Sequence, residues 1–140
     1  MDGTEFYYKR RGMGFTQEEL ADQLGVAERT VRRWEKNEFE IPDGAAADLD
    51  RLHAGFGEHV LTTVEMLLEQ VEGLDDMYDL PPEDRPVVEI ASFNTPESHA
   101  LAHPDESWAY HKALIAAVGM VLAGEGFRTT FTTVAQEPDA

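Results

Sequence analysis

Apolar residues in the first third of the chain recur at helical spacing. In residues 4–13, Phe6, Arg10 and Met13 fall on one side, and Gly14 predicts the stop. Leu20, Ala21 and Leu24 make the stripe of a second short helix. Val31 and Trp34 do the same for a third, expected over about residues 28–36. Thr16 and Glu19 have the spacing of a capping box, in which hydroxyl and carboxylate reciprocally satisfy the first free amides. Gly25 suits the left-handed residue of a sharp turn. Asn37 closes the third helix, and Pro42 with Asp43 opens a fourth around residues 45–52. Val60, Leu61, Val64, Leu67, Leu68 and Val71 then predict a longer, coiled-coil-like helix over residues 57–71, free to pack on its own domain or on a partner.

Beyond this the pattern changes. GLDDMYDLPPEDRP, residues 73–86, reads as an acidic, Pro-rich linker. VVEIAS (87–92) and FRTTFTTV (127–134) read as strands. Residues 108–125 predict a helix with Leu114, Ile115, Val118 and Leu122 on one face and Gly126 as its stop, while residues 93–107 predict a loop with a short helical turn. Strand, crossover helix and strand are enough for a parallel pair, yet two strands and one helix are too little to stand alone. Pairing with the same unit of a second chain would complete a four-stranded sheet. The expected fold is therefore mainly α. A domain of about five helices (1–72) precedes the linker (73–86), a small α+β strand-helix-strand dimerisation unit (87–136) and a tail (137–140).

Charge sharpens this picture. The formal net charge is −17, but it is unevenly placed. Residues 1–45 hold seven Lys/Arg against ten Asp/Glu, a net of −3; residues 46–140 hold four against eighteen, a net of −14. So acidic a chain repels polyanions as a whole, and any nucleic-acid contact must be local and oriented. Acidity with few lysines equally suits a salt-adapted host. Within the first third, Arg29, Arg32, Arg33 and Lys36 lie opposite Val31 and Trp34, so burial of the apolar face presents the basic one. An α-helix fits the DNA major groove, where Arg donates two bonds to guanine and Lys neutralises phosphates. A capped helix, a Gly-containing turn and a second helix with outward cations make a helix-turn-helix.

Other chemistry is poorly represented. The absence of Cys excludes disulfides, thiol catalysis and thiolate metal sites. His99 and His103 are spaced i, i+4, but no third ligand joins them at fixed spacing and Pro104 interrupts the helix, so no metal or cofactor is expected. DDMYD (75–79) resembles a diphosphate-metal motif but falls in a linker rather than a large helical cavity, and nothing points to an enzyme. No apolar run approaches the roughly 18–20 residues of a membrane span. The start, MDGTEF, lacks the basic and apolar regions of a secretory signal, which predicts a cytoplasmic protein.

Residues 4–55 resemble the lambda-repressor/Cro (Xre) class of helix-turn-helix domains. The hallmark T-Q-x-x-L-A-x-x-x-G-V is present as Thr16, Gln17, Leu20, Ala21, Gly25 and Val26, and the W-E ending of the third helix as Trp34 and Glu35. The resemblance implies a phosphate contact by Gln17, base reading by Glu28, Arg29, Thr30, Arg32 and Arg33, and a buried ion pair between Arg10 and Glu35. Lys36 on the same face would anchor phosphate. Where the family usually carries Ser or Thr before the third helix, this chain has Ala27. Glu28 suits the helix dipole; it either accepts from cytosine N4 or orients Arg29 or Arg32.

The C-terminal third is similar, mostly in architecture, to the dimerisation domain of phage anti-CRISPR-associated regulators. Its matching features are His103–Pro104 and a helix ending L-x-x-E-G-F before a strand. That resemblance implies a homodimer repressing its own operon. The expected function is thus a dimeric, sequence-specific DNA-binding regulator of a phage or bacterial operon, reading a pseudo-palindromic operator in double-stranded DNA. Dimerisation would use the C-terminal unit and, as a second candidate, the helix over 57–71. The alternative is an Xre-fold adaptor whose acidic surface binds a protein partner.

Overall fold

The computed structural model describes residues 1–134. Among them are six α-helices and two strands, so the protein is mainly helical with a small parallel sheet in its C-terminal half. The helices are α1 (Gly3–Gly12), α2 (Gln17–Leu24), α3 (Glu28–Glu35), α4 (Asp43–Leu68), α5 (Pro96–Ala102) and α6 (Trp108–Gly124); the strands are β1 (Val87–Ser92) and β2 (Arg128–Thr133). Two compact units result. One comprises Met1–Glu58 with Ala109–Ala113, the other His59–Trp108 with residues from Leu114 onward.

In the first unit the helix ends are chemically defined. Asp2 caps α1 by accepting from the Glu5 amide, and Thr16 caps α2 in the expected reciprocal box with Glu19. Gly25 (φ +68°) carries the chain out of α2; Val26 N–H returns to the Ala21 carbonyl and Gly25 N–H to Asp22, the paired bonds of a Schellman turn. The same turn ends α3. Here Asn37 (φ +59°) takes the left-handed position, with Glu38 N–H on the Arg33 carbonyl and Asn37 N–H on Trp34. Asn tolerates that conformation better than other side-chain-bearing residues. Phe6, Met13, Phe15, Leu20, Ala21, Val31, Trp34, Leu49 and Phe56 form the core, and Phe6 meets the Trp34 ring edge-on at 5.7 Å.

One expectation fails in this region. The helices foreseen over 45–52 and 57–71 are a single helix, α4, so four helices, not five, precede the sheet. Gly55 and Gly57 were natural places for a break. A mid-helix Gly weakens a helix by only about 1 kcal/mol, however, and burial of Leu49, Phe56, Val60 and Val64 along the helix opposes a break there. The stripe beyond Gly57 is also narrower than foreseen: Val60 and Val64 are buried, but Leu61 is 58% exposed.

In the second unit β1 and β2 pair in parallel, with Val87 opposite Arg128 and Ile90 opposite Phe131. Val88, Ile90, Leu114, Val118 and Leu122 are buried there, so three of the four apolar residues foreseen on the α6 face are core; Ile115 is half-buried. Gly126 (φ +91°) stops the chain after α6, with Phe127 N–H on the Leu122 carbonyl. The segment read as a linker is anchored. Met77 is buried, the Tyr78 hydroxyl donates to the Glu125 carbonyl (2.7 Å), and Arg85 donates to the Leu80 and Gly126 carbonyls. Two short 3-10 turns, Met77–Asp79 and Pro82–Asp84, shape it. Acidic, Pro-rich composition signals local irregularity; it does not reveal long-range anchoring. Residues 93–107 hold α5 as a short helix, capped by Thr95 and ending at His103, just before Pro104. The foreseen end of this unit at 136 and the tail 137–140 lie outside the described residues.

Candidate nucleic-acid interface

The interface is built on α3, and its position is set by Arg10. This buried guanidinium reaches Glu35 through Nε (3.1 and 3.0 Å) and Nη2 (2.8 Å), while Nη1 donates to the Phe15 carbonyl at 2.8 Å. One side chain of α1 thereby holds the loop before α2 and the last turn of α3. The side chains of Arg10 and Glu35 are 6% and 5% exposed, so the fork operates out of water, where its geometry is most selective. Gln17 joins this group: its Nε2 lies 3.3 Å from Glu35 Oε1. At the other end of α1, Asn37 Oδ1 accepts from the Gly3 amide at 2.8 Å.

With Val31 and Trp34 buried and Glu35 clamped, the remaining side chains of α3 are turned outward. Arg29, Arg32 and Lys36 are exposed, as is Glu28; Arg33 and Thr30 are half-buried. Among the described residues none of the four cations makes an ion pair, and none joins Glu28 to Arg29 or Arg32. Lys9, nearer the start of the chain, differs. Lys9 is bound by Asp50 (2.6 Å) and Glu5 (2.9 Å), hydrogen bonds that hold its ammonium above the usual lysine range and neutralise it locally. Lys9 is thereby a poor phosphate anchor, whereas the cations of α3 have no carboxylate partner among the described residues.

Arg33 has a different neighbour, one that periodicity does not reveal. Its Cζ lies 5.3 Å from the centroid of the Phe39 ring, and Phe39 is itself 57% exposed just beyond α3. Stacking of this kind is worth about 0.5–1 kcal/mol at exposed sites and restricts where the guanidinium points. The Asp2 cap of α1, the Asn37–Gly3 bond and the Phe39 stack were not anticipated from the sequence, and the last two depend on how the chain turns after α3.

Ala27 stands at the N-cap of α3 in extended conformation and supplies no side-chain hydrogen bond. Ala27→Ser should therefore stabilise the first unit by about 0.5–2 kcal/mol, read as an increase in denaturation midpoint with unchanged slope. No change would mean that another group already satisfies the first amides of α3.

Elsewhere the structure brings His99 and His103 into a stack (centroids 5.6 Å apart), with His99 Nε2 3.0 Å from Glu106 Oε1. Among the described residues no helix is long and apolar enough to cross a membrane. Residues 6–51 match the helix-turn-helix family, and the remainder of the chain is unassigned. No curated protein matches the chain.

Proposed function

Residues 6–51 form a helix-turn-helix domain of the Xre/Cro-like type, which points to DNA binding in a transcriptional regulator, and from that premise we propose a dimeric repressor reading a pseudo-palindromic operator in a phage or bacterial operon. The observation that carries the DNA-facing side is the set of unpaired cations on α3, opposite the buried Val31 and Trp34. In this reading α3 enters the major groove. Arg29, Arg32 and Arg33 address base edges with Thr30 and Glu28 beside them, and Lys36 contacts phosphate. Gln17 uses one amide hydrogen toward Glu35 and has a second for a phosphate oxygen. In a two-fold dimer the half-sites lie about 34 Å apart on one face of the duplex. The acidity beyond residue 45 disfavours other approaches to the polyanion, leaving this face productive.

A mobility-shift titration with the DNA flanking the chain's own gene, over a salt series, tests this. Tight binding that weakens steeply with salt is expected. Arg33→Ala should lose about 1–3 kcal/mol and relax preference at one base pair, while Lys36→Ala should weaken binding to all sequences and lower the salt slope by about one. A uniform loss for Arg33→Ala would count against it as a base reader. Failure to bind any fragment of the native locus at low salt would favour the adaptor reading, in which the acidic surface serves a protein partner.

A further inference from the structure

The sheet of the second unit is unfinished on one side. In register, Ile90 of β1 and Phe131 of β2 point to the same face, yet Ile90 is 1% exposed and Phe131 is 57% exposed. The buried layer stops at β2. The Phe131 ring rests on Gly119 of α6, where an added Cβ would come within 2.4 Å of it, and its other side is open. Helical geometry puts Ala116, Met120 and Ala123 within about 100° of Gly119, on the flank away from Leu114, Val118 and Leu122. All three are exposed, Met120 at 76%. An apolar strip thus runs beside the free edge of β2.

The main chain at that edge is also unsatisfied. Val134 N–H donates to the Ser92 carbonyl, and peptide alternation in a parallel ladder then turns Arg128, Thr130 and Thr132 toward β1. Thr129, Phe131 and Thr133 present their N–H and C=O groups outward. Few of the devices that blunt an edge are present in β2: it contains no Pro, Lys or acidic residue, and its one charge, Arg128, stands at its first position. The first half of β1 is different, because Val87, Val88 and Glu89 share a groove with Leu67, Gln70, Val71 and Glu72 of the same unit.

Resting on the dimer reading above, we infer that the β2 edge is the dimer contact, and that its occupant is β2 of a second copy, antiparallel about a two-fold axis at Phe131. That register is the one these observations support. Phe131 faces its own symmetry mate, Thr129 faces Thr133, and each pair exchanges both main-chain bonds. An axis perpendicular to the sheet keeps both α6 helices on one face, bringing the Ala116, Met120 and Ala123 strips together. Charge permits it. Residues 108–134 carry Lys112 and Arg128 against Glu125, a net of +1, in a chain of −17, so this surface escapes the self-repulsion that opposes contact elsewhere.

Light scattering and residue-resolved amide exchange on the full chain test the inference together. The unaltered protein should have the mass of two chains at micromolar concentration, with the Thr129, Phe131 and Thr133 amides protected at least tenfold more than in the diluted protein. Phe131→Lys, which places like charges at the axis, and Thr129→Pro, which removes an outward N–H and spares the bonds to β1, should each give one-chain mass with unchanged helical circular dichroism. A one-chain mass for the unaltered protein at every concentration would overturn the dimer reading itself. A two-chain mass with those three amides exchanging as freely as in open strands would overturn only the assignment of this edge, even if both variants failed to fold.

Discussion

Arg10→Met should lower the stability of the first unit by about 3–5 kcal/mol, the usual consequence of removing one partner of a buried ion pair. The reason lies in what is left behind. Glu35 keeps a carboxylate whose side chain is 5% exposed, with Gln17 Nε2 at 3.3 Å as its remaining side-chain donor, and the Phe15 carbonyl loses its guanidinium bond. Urea denaturation measures the effect. Arg10→Lys should recover little, since one ammonium cannot donate to Glu35 through two nitrogens and also reach Phe15. The double variant Arg10→Met with Glu35→Met should recover most of the stability, because the loss comes from a stranded charge and not from absent attraction. A single-variant effect below about 1 kcal/mol is the size seen for exposed pairs and would mean that water reaches the site. DNA binding should weaken along with stability in Arg10→Met, as the clamp holds the last turn of α3.

Gly3→Ala is the second large effect. An added Cβ would lie 2.4 Å from the Trp34 carbonyl oxygen and 2.5 Å from that of Glu35, and both are backbone atoms that no rotamer change can move. Helix α1 must lift away from the end of α3, which also stretches the 2.8 Å bond from the Gly3 amide to Asn37 Oδ1. A destabilisation of about 3 kcal/mol or more is expected, at the upper end of what overpacking produces. Gly12→Ala, with nothing within 4 Å of the added atom, is the control on the same helix and should be neutral or slightly stabilising. Equal midpoints for the two variants would show that the α1–α3 contact is looser than this geometry.

These two variants mark a boundary in what could be read beforehand. Arg10 and Glu35 were legible as partners through resemblance to the Xre class, and spacing alone put Arg10 on the inward side of its helix. Gly3 carried no signal, because a close approach between residues 3 and 34 exists only once three helices have packed. Phe39 is a similar case. As an apolar residue after a helix end it has no assigned neighbour until Asn37 turns the chain and brings its ring to Arg33. The outward set on α3 sits between these extremes: helical periodicity placed the four cations opposite Val31 and Trp34, but the half-burial of Arg33 needed the fold.

By itself the sequence determined what depends on neighbours a few residues away. The capping box at Thr16, the left-handed turn at Gly25, the uncapped start of α3 at Ala27 and the near-identical bounds of β1 and α6 all follow from local hydrogen bonding and side-chain period. The tertiary structure alone decided whether a weak local signal was overruled. It made α4 continuous through Gly55 and Gly57, because buried residues along it oppose a break, and it anchored residues 73–86 through Met77, Tyr78 and Arg85. The physical reason is common to both. Local preferences are worth about 1 kcal/mol each, whereas burying one large apolar side chain contributes about 1.5–3 kcal/mol, so packing prevails wherever the two disagree.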